Sequence, residues 1–476
     1  MSQYKTVIGL EVHVELDTQS KIYCGCTTAF GGEENTHVCP ICSGMPGVLP
    51  VLNRKVVEYC VRAGLALNCK INRYSRQDRK HYFYPDLPKA FQTSQYDLPL
   101  CYDGYVDIMA EGKPKRIGIT RIHIEEDAGK LIHEFGRTRV DYNRCGVPLI
   151  EIVSEPDFEN SAQVVAYLDT LRNILLYTGV SNCKLEEGSM RCDINLSIHK
   201  EGEPFGTRTE MKNLNSFSAA KNAVEYEEKR QRRAVEAGGV ITQDTLRWDD
   251  EKGINYAMRT KEDADEYYYF PEPDIMPMVL SKEYVQEIAD SLPELPEKRK
   301  VRYQETLGLS AYDAGLLVAD KHLSDVFDDA VALGAAPKAC ANYIMGDITR
   351  LLNDKGLEPE KLPFDGGRLA ELVGLIEKGT ISNSIGSKVV ELMFAEENRG
   401  KSPQALVEEH SLAQVSDDGL IRGMCSQVIA ENPKIVADYK AGKTKAITAL
   451  VGQVMKLSRG KANPGMVNQL LAELLA

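Results

Sequence analysis

The run Val7-Ile8-Gly9-Leu10-Glu11-Val12-His13-Val14-Glu15-Leu16 spaces three groups that can ligate a metal or move a proton two residues apart. On a strand, that spacing sends Glu11, His13 and Glu15 to one side and Leu10, Val12, Val14 and Leu16 to the other. Similar acids recur downstream. Ile124-Glu125-Glu126-Asp127-Ala128-Gly129 packs three acids before a glycine, and Leu149 to Glu155 puts Glu151 and Glu155 in a second strand-like run. Asp193 and Glu210 sit in two more. Any one such run is more often a solvated face than a site. Together they describe a sheet face lined with oxygen ligands and one imidazole, a donor set suited to Mg²⁺ or Mn²⁺ at nucleotide phosphates. The cations Arg79, Lys80, Arg121, Lys130, Arg191, Arg208 and Lys212 are interspersed with the acids and can neutralise phosphate charge.

A different chemistry is encoded in Cys24-Gly25-Cys26 and Cys39-Pro40-Ile41-Cys42. Two close pairs joined by a short loop provide the four thiolates of a tetrahedral zinc site. Such a site has no open position, so its role is structural. The other eight cysteines, Cys60, Cys69, Cys101, Cys145, Cys183, Cys192, Cys340 and Cys425, are scattered singly and read as small buried hydrophobes.

Elements must position these groups. Up to about residue 290 the chain mixes short alternating runs (Tyr105 to Ile108, Arg116 to Ile122, Asp193 to Ile198) with helices near Gln163 to Tyr177 and Ser218 to Ala237. The strands do not alternate regularly with helices, and neither G-x-G-x-x-G nor a Walker loop occurs, so an α+β antiparallel sheet covered by helices on one side is expected. The stretch Leu292 to Arg299, rich in proline and charge, marks a boundary, followed by helices over Tyr312 to Leu333, Lys338 to Lys355 and Gly367 to Lys378. The expected domains are residues 1–292, 293–408 and 409–476. In the last of these, Ile447, Leu450, Val451 and Val454 repeat at helical spacing, as do Val467, Leu470, Leu471 and Leu474 behind an Asn463 cap.

The chain has 476 residues and a net charge of -13, so any nucleic-acid contact needs a local basic surface. One exists. From Ile435 onward Lys440, Lys443, Lys445, Lys456, Arg459 and Lys461 face only Asp438 and Glu473. No apolar run approaches membrane-spanning length, and Met1 to Lys5 lead straight into a strand; a cytoplasmic protein without a leader is expected. Residue chemistry alone leaves open whether the acids form a metal-dependent phosphate site or are merely a solvated sheet face.

Eight long motifs narrow the choice. VIGLEVHVEL, the stretch Asp78 to Asp97 (DRKHYFYPDLPKAFQTSQYD), ITRIHIEEDAGK (Ile119 to Lys130) and NRCGVPLIEIVSEPD (Asn143 to Asp157) closely resemble the B-subunit family of the aspartyl/glutamyl-tRNA(Asn/Gln) amidotransferases. EEGSMRCDIN, EMKNLNSF, YYYFPEPDI and LVGQVMKLSRGKANP extend the resemblance to the C-terminal helix. It implies a cradle domain related to glutamine synthetase, a helical domain and a small tail that touches tRNA. The implied chemistry is ATP-dependent phosphorylation of the side-chain carboxylate on mis-charged Glu-tRNA(Gln) or Asp-tRNA(Asn), then amidation by ammonia. The chain carries no glutaminase signature, so ammonia would come from a partner amidase, the A component of a heterotrimer that a small C component clamps. By resemblance Glu11, His13, Glu126, Glu151, Asp193 and Glu210 are the catalytic set. Glu11, His13, Glu126 and Asp193 would hold Mg²⁺, Arg79, Lys80 and Arg208 would contact ATP, and Cys24, Cys26, Cys39 and Cys42 would hold structural Zn²⁺.

Overall fold

The computed structural model describes residues 4–185, 187–214, 216–260, 267–413, 418–441, 443, 445–458 and 462–475. It divides into two compact units, Met1–Leu295 and Pro296–Ala476.

The first unit is built on a nine-stranded sheet. From one edge its strands are Ile254–Thr260, Asp244–Asp249, Thr209–Leu214, Met190–Lys200, Tyr4–Glu15, Pro148–Ser154, Lys113–Glu126, Cys101–Ala110 and Lys70–Ile71. Every pairing is antiparallel except that of Thr209–Leu214 with Asp244–Asp249. Alternation decides which face is covered. Ile8, Leu10, Val12 and Val14 of the central strand are buried in one core with Ile122, Ile124, Ile150, Ile152, Ile194 and Leu196 from its neighbours. Helices Arg54–Ala66, Ser161–Thr178 and Phe217–Glu236 supply the other side of that core. Their starts are set locally: Asn53, Asn160 and Ser216 each accept a hydrogen bond from a first-turn backbone N–H. The expectation of an α+β fold with helices on one side of a mainly antiparallel sheet holds. A smaller sheet, Tyr268–Pro271, Asp78–His81 and Phe91–Ser94, carries the DRK and YYYFP motifs.

The second unit is helical throughout its described residues and holds two separate apolar cores. One runs from Tyr303 to Val407 and the other from Ile421 to Leu475. The single helix expected over Tyr312 to Leu333 is two, Ala311–Val318 and Lys321–Ala332, because Asp320 leaves helical geometry to cap the second through the Leu323 N–H. The helix expected over Lys338 to Lys355 does run through, with a π turn at Ile344–Ile348 and a left-handed Gly356 as its stop. Leu450 and Val454 of helix Ala446–Leu457 pack in the last core with Val467, Leu470 and Leu471 of helix Pro464–Leu475. Lys440, Lys443, Lys445 and Lys456 are exposed, while Arg459 and Lys461 lie outside the described residues. Among the described residues, no helix is long and apolar enough to cross a membrane.

Candidate active site and cysteine clip

The sheet face opposite the helices carries the acids, and strand register brings them together. Glu11 lies directly across from Asp193, His13 from Glu151, and Glu151 from His123. Directly opposed residues share a face, so four strands contribute to one polar strip. Two adjoining trios result: His13, Glu125 and Glu151, and Glu11, Asp193 and Glu210. In each, the potential ligand atoms lie within 4.8 Å of one another.

In the first trio His13 Nε2 is 3.4 Å from both Glu125 Oε1 and Glu151 Oε2. His123 Nε2 is 3.4 Å from Glu151 Oε2 and 3.7 Å from Glu125 Oε2. Burial alone would lower the pKa of both imidazoles, but the hydrogen bonds and negative charge of Glu151 and Glu125 outweigh it. Each histidine is held up at about 9. Burial would raise Glu151, yet the two imidazoliums push it well below the ordinary carboxylate range. In the second trio burial raises Glu11, reinforced by Glu151, Asp193 and Glu210. Lys212 Nζ bridges Asp193 and Glu210, 2.9 Å from the latter. Asn195 Nδ2 donates to Glu11 Oε1 at 3.1 Å, and Thr245 Oγ1 to Glu210 Oε2 at 3.1 Å. The face thus interleaves carboxylates with protonated imidazoles and lysines, and protons sit on ligand groups a divalent cation can take over.

Lys80 borders the first trio. Burial alone would lower it, but Glu125, Tyr269 and Glu151 raise it, and its ammonium lies 4.4 Å from the Tyr267 ring centroid. Arg208 is exposed and lines, with Glu11, Asn195, Ser154 and Phe205, a cleft of about 310 Å³ along the same face.

Two expected site residues are placed elsewhere. Glu126 is one step out of phase with His123 and Glu125, so it points to the other side of the sheet. There its Oε1 accepts from the Thr93 N–H at 2.8 Å and from Lys89. The residue that meets His13 and Glu151 is Glu125. Arg79, adjacent to Lys80 on its strand, faces the other way. It forms a bidentate pair with Glu272 at 2.7 and 2.8 Å and a bond to Asp274 at 3.1 Å. Its fork is filled by carboxylates. The bulge between Val153 and Ser154 also takes Glu155 off the face of Glu151, to accept from Thr120. Sequence reasoning misses His123 and Glu125 as site residues, although Ile122-His123-Ile124-Glu125 alternates as plainly as the first strand. Arg191 instead serves a third group, donating to Asp127 at 2.8 Å beside Glu15. Burial and Asp127 push Glu15 up to about 7.

The four cysteines converge as their spacing predicts. The sulfurs of Cys24, Cys26, Cys39 and Cys42 lie within 4.8 Å of one another. The Cys39 N–H donates to Cys42 Sγ at 3.2 Å. Cys42 is held down at about 4, chiefly by the Cys24 thiol, while burial raises Cys26 to about 11. Four soft sulfurs this close fit a metal such as zinc. The other eight cysteines are all buried.

Comparison with known proteins agrees along the whole chain. Residues 6–286 match the GatB/GatE catalytic domain and residues 325–475 the GatB domain. The aspartyl/glutamyl-tRNA(Asn/Gln) amidotransferase B subunit of Caldicellulosiruptor bescii is 56% identical over 479 residues, covering 99% of each chain. Those of Thermoanaerobacter sp. (strain X514) and Carboxydothermus hydrogenoformans are 54% and 51% identical, each with 100% of both chains covered. This chain belongs to the family of aspartyl/glutamyl-tRNA(Asn/Gln) amidotransferase B subunits.

Proposed function

We infer that this chain is the amide-forming subunit of a tRNA-dependent amidotransferase, a ligase of protein biosynthesis. It converts Glu mis-charged on tRNA(Gln), or Asp mis-charged on tRNA(Asn), into the cognate amide. A carboxylate is a poor acyl donor because its leaving group would be oxide. Attack of a carboxylate oxygen on the γ-phosphorus of ATP, with cleavage of the bond to ADP, makes that oxygen the bridge of an acyl phosphate, from which phosphate can leave. Ammonia then adds to the acyl carbon, phosphate departs, and the nitrogen loses a proton to become the amide.

The observation that carries this reading is the pair of ligand trios side by side on one sheet face. Glu11, Asp193 and Glu210 would hold one Mg²⁺, and His13, Glu125 and Glu151 a second divalent cation, through oxygen and imidazole donors that suit such ions. When bound, these ions supply charge neutralisation at the phosphates. The chain's own groups do the rest. Lys80 presents its ammonium beside the first trio, where the transferred phosphoryl oxygens gain charge. Arg208 lies along the cleft that continues from Glu11, placed to meet the nucleotide. Lys212 occupies the second trio until a cation displaces it. His123 braces Glu125 and Glu151 from the side away from His13.

The same reading assigns the remaining parts. The sheet unit is a cradle domain related to glutamine synthetase, spanning residues 1–292, with a helical domain over 293–408. The tail, 409–476, docks tRNA through phosphate contacts of its exposed lysines, which position the nucleic acid without reading its sequence. A partner amidase, the A component of a heterotrimer, supplies ammonia, and a small C component clamps the assembly. The clip is structural and holds Zn²⁺. The assembled enzyme, given Glu-tRNA(Gln), ATP, Mg²⁺ and an ammonium salt without glutamine, will form ADP and Gln-tRNA. Ammonia-dependent product without ADP would overturn the proposal.

A further inference from the structure

Lys21 is buried to 0% exposure, and among the described residues no carboxylate lies within ion-pair distance of it. Its Nζ donates to the carbonyl of His37 at 2.8 Å and to that of Tyr142 at 3.4 Å, and its third direction reaches Cys42 Sγ at 3.8 Å. Two carbonyl dipoles do not replace both water and a counter-charge, so the buried ammonium needs an anion in its third direction, at the Cys42 sulfur. The clip to which that sulfur belongs supplies the charge. Four thiolates around a divalent zinc leave two negative charges on the site. No carboxylate is needed beside Lys21 if the loaded clip is its partner.

We propose that Lys21 is the resident counter-ion of the metal-loaded cysteine clip and a positioning residue for Cys42. Its hydrogen bond to Cys42 Sγ offsets thiolate charge and fixes one of the four ligands. Its two carbonyl bonds join the loop before Cys39 to the segment Tyr142–Gly146, whose Cys145 thiol also donates to the Cys42 carbonyl at 3.4 Å. That segment carries Arg144, which donates to the carbonyls of Ala128 and Gly129, both at 3.0 Å. Metal binding at the clip is thereby tied to the loop that follows the acid-bearing strand Lys113–Glu126. This inference rests on the clip holding zinc.

The test is a double-mutant cycle on the full-length chain. Zinc content of the unmutated protein is measured first. Its absence after purification without chelator would overturn the reading of the clip, and this proposal with it. In the loaded protein Lys21→Met should weaken zinc affinity about 10- to 100-fold in competition with a chromogenic chelator. It should also shift the thiolate-to-metal charge-transfer band of the Co²⁺-substituted form, and Lys21→Arg should restore both. In a Cys39→Ser, Cys42→Ser background the same Lys21→Met change should leave Tm unchanged or raise it, since a buried charge without its partner is removed. If Lys21→Met does not accumulate as folded protein, Lys21→Gln is measured the same way. Unchanged zinc affinity, an unshifted cobalt band and an equal loss of Tm in both backgrounds would show that Lys21 only staples two carbonyls, and would overturn the proposal.

Discussion

The acid-lined sheet face and the cysteine clip are both places where side chains gather that could hold a cation, and they are assembled in opposite ways. The clip is local: its four ligands come from residues 24 to 42, and two tight pairs with a loop between them bring the sulfurs together. The sheet face is long-range. Its two trios draw on residues from Glu11 to Glu210, held in register by backbone pairing across five strands. A local site tolerates drift in the rest of the fold. A register-built site does not, because a one-residue slip turns every ligand to the wrong face. The donors differ accordingly: soft sulfurs that close a site for good, against oxygens and an imidazole that leave room for phosphate.

That contrast can be broken at several points. The largest effect is expected at the carboxylate trio. Asp193→Asn removes one charged ligand and one of the two carboxylates that hold Lys212, and should lower ATP- and ammonia-dependent turnover about 10²- to 10³-fold with tRNA affinity unchanged. Steady-state kinetics with a parallel filter-binding assay decides it; a turnover within three-fold of the unmutated enzyme (about 0.7 kcal/mol) would refute the assignment. Next comes the clip. Cys39→Ser with Cys42→Ser should release zinc and lower Tm by roughly 5–10 °C. Ammonia-dependent turnover per folded molecule should persist. Loss of turnover in protein that calorimetry shows to be folded would give the clip a role in chemistry.

A smaller effect follows from the histidines. His13 and His123 are held at about 9, above their ordinary 6.5. A raised pKa stabilises the protonated folded form, so in metal-free protein this contribution is complete below about pH 6.5. It is lost as pH rises through about 9. A divalent cation needs the neutral imidazole, so Mn²⁺ affinity at the His13 trio should rise between pH 7 and pH 9. Mn²⁺ titration followed by electron paramagnetic resonance would show it, and pH-independent affinity would contradict it. The smallest effect is expected at Glu155→Gln, which touches neither trio and should leave turnover within two-fold.

Much of this is legible in the residues. Period-two alternation identifies the central strand, its buried Ile8 to Val14 side and the acid face, and the spacing of the cysteines identifies the clip. Sequence fails where two principles compete. In Glu125-Glu126-Asp127 three acids follow one another; alternation with Ile122 and Ile124 puts Glu125 in phase with His123, but only the pairing of His123 with Glu151 shows that this face meets His13. Arg79 looks free for phosphate because its partner Glu272 lies 193 residues away, in a motif dominated by its aromatics. The break at Asp320 is hidden because a helix-capping aspartate inside an apolar helical pattern looks like one more polar-face residue.

The two-trio site stands or falls on the distinction between Glu125 and Glu126. Mg²⁺-dependent ADP formation in the presence of Glu-tRNA(Gln), measured with ammonium saturating so that nitrogen supply does not limit, isolates the activation step. Glu125→Gln should abolish it, while Glu126→Gln should keep it within a few-fold of the unmutated enzyme. Full ADP formation in Glu125→Gln, or its loss in Glu126→Gln alone, would contradict the two-trio site.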